Sequence, residues 1–391
     1  LAELESQVAR LEGLLASPFA QKAPEKIVQA EREKLETYKV SVEKLRARLG
    51  SSGLLPFVSR HGEEFEVRVV RDAAPSPSNP LVNILLFALT VCSTLVVGAA
   101  NAGVDIIARP ERFAAGIPFA ASLLAILIVH EFGHYLMAAF HGVEATLPYF
   151  IPAPTAIGTL GAVIKTKSSI PDRKALLDIG VAGPICGFAV ALVALGVGLS
   201  LSEAVDIAPL LGAGRVEQYG DSIIVKLMTR LVKGRLAPGQ DVILHPVAFA
   251  GWVGMLVTAF NLMPVGQLDG GHVAYALAGR AHAAIARFVL ACLIALGLVW
   301  WPWWIWVLLI MVLGTGHAPP LDDVTPLNRG RILLAIAAAA VFALCFVPVP
   351  FRPDGKPPPE GSFRPEIDER RPPRLSPPIV RRGGASRGGA L

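Results

Sequence analysis

The sequence predicts a mainly α-helical, polytopic membrane protein: a helix bundle of six to eight spans. Three observations predict it. Of the 391 residues 53% are hydrophobic, and the mean hydropathy is +0.53, an average that soluble domains rarely reach. Long apolar runs recur at 82–100, 118–140, 176–200, 247–263, 283–300, 302–314 and 331–349, and a crossing helix needs roughly 20 apolar residues. Ionisable residues enter these runs in few places, above all in ILIVHEFGHYLMAAF at 127–141. A large buried helical core of a soluble protein fits these lengths and flanks less well. Around the bundle the sequence adds an N-terminal antiparallel coiled coil (1–49), a polar connector (50–80) and a disordered Pro/Arg-rich tail (351–391). The bundle itself spans 81–350 and includes a small re-entrant β-hairpin.

Residues 1–49 differ from all that follows. Leu1, Leu4, Val8, Leu11 and Leu15 recur at spacings of three to four, ASPFAQKAPE interrupts, and Val28, Leu35, Tyr38, Val42, Leu45 and Leu49 resume the spacing among charges. That predicts two amphipathic helices folded back on each other. No signal peptide precedes them and the chain opens on Leu1 rather than Met, so it is expected to be incomplete at its front. The stretch LEGLLASPFAQKAPEKIVQAEREKLETYKVSVEKLRARL resembles the C-terminal coiled-coil arm of valyl-tRNA synthetase, which in that family contacts tRNA. A generic coiled-coil hairpin explains the pattern without tRNA, and no synthetase catalytic region accompanies it. A fusion, a gene-boundary relic or a borrowed interaction arm all fit. In the connector, EFEVRVVR alternates as one short strand would, and PSPSNP breaks the chain before the first apolar run.

Cys92, Cys186, Cys292 and Cys345 all lie in apolar stretches without a CxxC pair, so they read as small hydrophobes. The net charge is +5. The stretch 352–391 carries nine Arg/Lys against five Asp/Glu and few large apolar residues. It is too polar to fold alone and by the positive-inside tendency lies in the cytoplasm. A basic tail and a charged arm on the same side require an even number of crossings, whereas seven runs are visible, so one is re-entrant or two merge.

The chemistry sits in His130-Glu131-Phe132-Gly133-His134. Burying a charge in lipid costs about 3 kcal/mol or more, so ionisable groups there are usually functional. Positions i and i+4 share a helix face, which lets both imidazoles reach one metal ion, and Glu131 is about 100° round the helix. This is the HExxH arrangement of two zinc ligands and a general base. Zinc also needs a third protein ligand and an open position. NLMPVGQLDGGH at 261–272 offers one: Pro264, Gly266, Gly270 and Gly271 unwind an apolar run, and Asp269 sits in the break. Such backbone is tolerated at membrane depth only inside protein or beside a water-filled cavity. Asn261 offers an amide for the substrate backbone or a developing oxyanion.

The pair HEFGH followed by NxxPxGxxDGG resembles the site-2 protease family of intramembrane zinc metalloproteases. GTLGAVIKTKSSIPDRKALLDIGVAGPICG (158–187), HPVAFAGWVGMLVTAFNLMPVGQLDGGHVAYALAG (245–279) and HAPPLDDVTPL (317–327) are similar to bacterial and plastid-type members, and the resemblance covers about 80–350. It implies that His130, His134 and Asp269 bind Zn2+, that Glu131 is the base, and that Asn261 assists. It implies a single-pass membrane protein as substrate and a bacterial inner membrane as location, with no nucleic acid for the protease domain. No PDZ-like insertion separates the motifs, which leaves substrate recognition open. YFIPAPTAIGTLGAVIKTKS (149–168) reads as a hairpin dipping into the membrane, either a plain surface hairpin or an edge that pairs with an unwound substrate strand. In the family a similar re-entrant sheet has that role.

Gly180, Gly183 and Gly187 read as a helix-packing stripe. His245, His272 and His317 read as interfacial or capping residues, and Asp322 and Asp323 as structural. The competing function is a metal or proton transporter lined by the same His and Asp side chains. Such a transporter needs neither Glu131 between two ligands nor the GTLG hairpin.

Overall fold

The computed structural model describes residues 2–61, 64–71, 79–104, 106, 108–206 and 218–352. The tail expected to be disordered falls outside the described residues from 353 onward. Its first two positions, Phe351–Arg352, pair as a short strand with Gln218–Tyr219, so the folded part reaches past the expected boundary at 350.

Helices Ala2–Ala16 and Glu25–Ser51 carry the N-terminal spacing pattern. Val8, Leu11, Leu35 and Val42 are buried together along their seam, and Lys39 pairs with Glu12 across it at 3.0 Å. The connector is more ordered than the sequence suggested. EFEVRVVR is the second strand, Glu64–Arg71, of an antiparallel hairpin whose first strand is Leu54–His61. The first strand escaped notice because Pro56 breaks its alternation. Here Pro56 and Val58 are buried, and Leu55 and Phe57 lie on the other face.

The described residues are mainly helical, and among them four helices are long and apolar enough to cross a membrane: Pro80–Asn101, Pro110–Phe140, Arg173–Leu201 and Asp269–Val299. They account for four of the seven apolar runs. The other three runs give Pro246–Asn261, Trp303–Leu313 and Arg329–Cys345, of 16, 11 and 17 residues. At about 1.5 Å per residue none of these three reaches roughly 30 Å of hydrocarbon. Large apolar side chains stand on the surface, Phe140 at 80% and Leu298 at 81% exposure among them. Such a surface belongs in lipid, because soluble proteins do not present apolar patches of that extent.

Polar side chains start the helices. Asn79 accepts from the Leu81 N–H with Pro80 in the first turn, Asp172 from Ala175 and Asn328 from Arg331. His245 caps Pro246–Asn261 through the Val247 N–H. The centre is built by Pro110–Phe140, Arg173–Leu201 and Pro246–Asn261. Phe119, Leu123, Ile126, Leu195, Val253 and Leu256 meet there, all buried.

Two extended regions frame the bundle on the side of the HExxH motif. Tyr149–Pro152 pairs with Thr159–Val163, with a bulge between Phe150 and Pro152, and the pairing resumes at Ala145 and Thr166. The hairpin lies against the first crossing helix. Asn83 Nδ2 donates to the Leu147 and Pro148 carbonyls at 2.8 and 2.9 Å, and Ser93 Oγ donates to the Gly158 carbonyl at 2.6 Å. Gly158 has φ +84°, and a Cβ there would meet the Ser93 carbonyl at 2.9 Å, so the turn requires glycine. The second region is a backbone ladder. Val58 donates to Leu321 at 2.8 Å and accepts from Asp323 at 3.0 Å, while Leu321 and Asp322 donate to Ile170 and Pro171, each at 2.9 Å. Strands 64–71 and 54–61, then 321–323, then 170–172 lie side by side.

Candidate metal centre

The site grows from the middle of Ile117–Phe140, on its buried face. His130 and Glu131 are each 3% exposed and His134 is 6% exposed. One helical turn brings the two Nε2 atoms within 3.2 Å of each other. Asp269, the first residue of Asp269–Ala278, brings Oδ2 to 3.4 Å from His130 Nε2 and 3.3 Å from His134 Nε2. The break at 262–268 sets that approach. Gly266 has φ +57°, and the loop passes so close to the new helix that a Cβ on Gly270 would fall 2.1 Å from the Leu262 carbonyl.

The chain reserves the space for both imidazoles on Arg173–Leu201. A Cβ on Gly183 would lie 2.1 Å from His134 Nε2, and one on Gly187 would lie 2.9 Å from His130 Nδ1. The glycine stripe does bring helices together, and beyond that it is the seat of the two rings. The same helix orients His134, whose Nδ1–H donates to the Ile179 carbonyl at 2.7 Å. That bond leaves the Nε2 lone pair facing the cluster, the arrangement found behind metal-binding histidines.

Three donor atoms therefore converge: two imidazole nitrogens and one carboxylate oxygen. Two ligands held tetrahedrally at about 2.0 Å from one zinc stand about 3.3 Å apart. The observed separations of 3.2, 3.3 and 3.4 Å fit that edge, and the nitrogen and oxygen donors suit zinc. Asn261 lies at the same point, its Nδ2 3.2 Å from His130 Nε2. A cleft of about 690 Å³ opens over these groups, and Ile164, just beyond strand Thr159–Val163, lines the same cleft as Glu131.

The structure also brings in residues that the sequence reading left at the edges. His272, one turn after Asp269, is hydrogen-bonded through Nδ1 to His317 Nε2, and both line the cleft. His317 donates Nδ1–H to the Ala318 carbonyl at 2.6 Å and stacks on Tyr275 at 4.6 Å. Burial, with His272 alongside, pushes the His317 imidazole down to about 3, so it is neutral. Spacing held the clue to His272, since i+3 from a ligand is the same helix face. His317 is 45 residues from His272 and left no local signal. Asp323 accepts from Tyr275 Oη and from Arg173 Nε, each at 3.0 Å, which fixes the turn after His317. Asp322 caps that turn through the Val324 and Thr325 N–H groups.

Residues 118–299 match the model of peptidase family M50, and residues 1–51 match the valyl tRNA synthetase tRNA binding arm. The chain is 36% identical over 242 residues to a protein of Arabidopsis thaliana named probable zinc metalloprotease EGY1, chloroplastic. It is 33% identical over 236 residues to the Oryza sativa protein of that name, and 30% over 244 residues to Arabidopsis EGY2. Each match takes in 60% of this chain and 43%, 41% and 42% of the relative, so the chain spans less than half the length of these relatives. On these matches, residues 118–299 are similar to peptidase family M50, which supports the resemblance to the site-2 protease family that the motif pair carries.

Proposed function

We propose that the protein is a zinc-dependent intramembrane endopeptidase. It hydrolyses a peptide bond in or near the transmembrane segment of a single-pass membrane protein, the reaction of regulated intramembrane proteolysis. The observation that carries this reading is the convergence of His130 Nε2, His134 Nε2 and Asp269 Oδ2 beside the Glu131 carboxylate, inside apolar helices. The compartment we assign is a bacterial inner membrane, although stretches 158–187 and 245–279 are similar to bacterial and plastid-type members alike. The word chloroplastic belongs to the plant relatives' names.

In this reading His130, His134 and Asp269 hold the zinc. When bound, the ion supplies Lewis acidity, which polarises a carbonyl and brings the acidity of water near neutrality. Glu131 accepts the proton of the attacking water at its carboxylate as the hydroxyl joins the carbonyl carbon. It then gives that proton to the departing amide nitrogen as the C–N bond breaks. The Asn261 amide holds the substrate carbonyl oxygen. The strand edge at Thr159–Val163 pairs with the unwound substrate and presents its backbone to Glu131, a β-addition mode that the position of Ala162, Val163 and Ile164 in the same cleft as Glu131 supports. Surrounding apolar helices keep bulk water from the reacting groups. Residues 1–49 we read as a coiled-coil arm, either a functional fusion or a gene-boundary relic, and the protease domain itself needs no nucleic acid.

The test is co-expression of tagged single-pass segments with the wild type or with Glu131→Gln. A fragment made by the wild type and lost in the variant is the expected result. A fragment that persists in the variant removes Glu131 as the base. Metal flux across the membrane that depends on Glu131, with nothing cut, would make the protein a transporter.

A further inference from the structure

The cleft above the donor cluster has one wall that comes from outside the family-matched region. Leu55, Phe57, Val70 and Arg71 of the N-terminal hairpin line it, opposite Ile164 and Lys165 of the membrane hairpin. Leu55 and Phe57 share one face of their strand, and Leu55 stands directly across from Val70. These side chains form a half-open apolar surface, while Pro56 and Val58 on the reverse face are buried. The hairpin is fixed in place. Both backbone groups of Val58 are bonded into the 321–323 segment, and the Asp323 of that segment is tied to Arg173 and Tyr275.

The charges in the cleft are divided by depth. Glu131 and Asp269 lie at the floor, and Arg71 and Lys165 line the cleft from its two hairpins. Neither Arg71 nor Lys165 is in an ion pair among the described residues. Two uncompensated cations beside an apolar wall attract an anionic group to that side of the cleft.

We propose that the hairpin Leu54–Arg71 is the substrate-selecting wall of this site. It seats a large apolar side chain on Leu55, Phe57 and Val70, and an acidic side chain of the same extended segment against Arg71 and Lys165. The substrate class is a membrane-protein segment whose apolar run ends in Asp or Glu. This rests on the protease reading and adds what that protease selects. It also supplies a recognition element to a chain without an inserted peptide-binding domain between its two motifs.

The experiment uses the full chain in membranes and two tagged single-pass probes, identical except that the apolar run ends in two Asp or in two Lys. The wild type should cut the acidic probe about tenfold faster, and Arg71→Glu should bring that ratio to about one at unchanged zinc content. Comparing two probes within one variant removes any loss of folded protein. Equal cutting of the probes by the wild type, or a ratio unchanged in Arg71→Glu, overturns the proposal. In a second arm, a photoreactive benzophenone amino acid replaces Phe57 in the Glu131→Gln background, and adducts with the acidic probe are expected. Absence of an adduct at position 57 overturns the proposal even if the wild type cuts both probes. An adduct with no cutting by the wild type leaves the wall standing and sinks the protease reading instead.

Discussion

Gly183 lies against the imidazole of His134 so closely that a Cβ on it would sit 2.1 Å from Nε2. The atom it would strike is a proposed metal donor, on a ring held by the Ile179 carbonyl and unable to withdraw. Gly183→Ala should therefore displace the ring and lower bound zinc at least tenfold at limiting zinc, with cleavage lost alongside. Gly187→Ala, whose Cβ would meet His130 Nδ1 at 2.9 Å, should do less. Elemental analysis of the purified variants checks both. Full zinc in Gly183→Ala would mean that the glycine seat is dispensable.

Glu131→Gln and Asp269→Ala should separate two functions. The first keeps all three metal donors, so zinc content stays near the wild-type value while the cleavage rate drops on the order of 10²–10⁴-fold. The second removes a donor and should release zinc. Parallel zinc and rate measurements make the comparison, and equal zinc loss in both variants contradicts the separate roles.

Asp323 is 8% exposed at its side chain and serves Arg173 and Tyr275 together. Asp323→Ala leaves the guanidinium without its partner, and removing one member of a largely buried pair costs about 3 kcal/mol or more. A lowered unfolding midpoint in detergent is expected. A midpoint equal to wild type would show that the turn at 321–323 does not depend on this contact.

The His317 imidazole is held down to about 3 by burial, from an ordinary 6.5. A depressed histidine is neutral when folded and protonates more readily when unfolded, so the unfolded chain binds more protons between these two values. Its contribution to stability is thus fully present above about pH 6.5 and is lost as pH falls toward 3. His317→Gln should flatten the dependence of the unfolding midpoint on pH across that window. An unchanged slope would place the acid sensitivity elsewhere.

Much of this site was legible because its residues are costly where they stand. His130, Glu131, His134 and Asp269 interrupt apolar runs, and two local patterns sufficed to pair them. The helix count was less legible. Hydropathy finds apolar runs but does not tell a crossing helix from a shorter packed one such as Pro246–Asn261, whose Ala248, Ala250, Val253 and Met255 are buried against protein. The N-terminal hairpin escaped because Pro56 hid its first strand and its docking partners lie some 260 residues away, at 321–323. His317 escaped for the same reason. Contacts between distant segments leave no periodicity for a sequence to display.

The bridge at Val58 fixes a parity. Strand side chains alternate, so once the Val58 backbone is bonded to Leu321 and Asp323, odd-numbered neighbours Leu55 and Phe57 are committed to the cleft and even-numbered Pro56 and Val58 to the interior. A slip of one residue would exchange the two sets and turn the buried pair toward the cleft. A slip of two would restore the pattern with new side chains in the old places. Diversification of this wall, by nature or by design, should then tolerate changes of identity at 55 and 57 and changes of length in steps of two. A single inserted residue between Leu54 and Val58 would rewrite every contact at once.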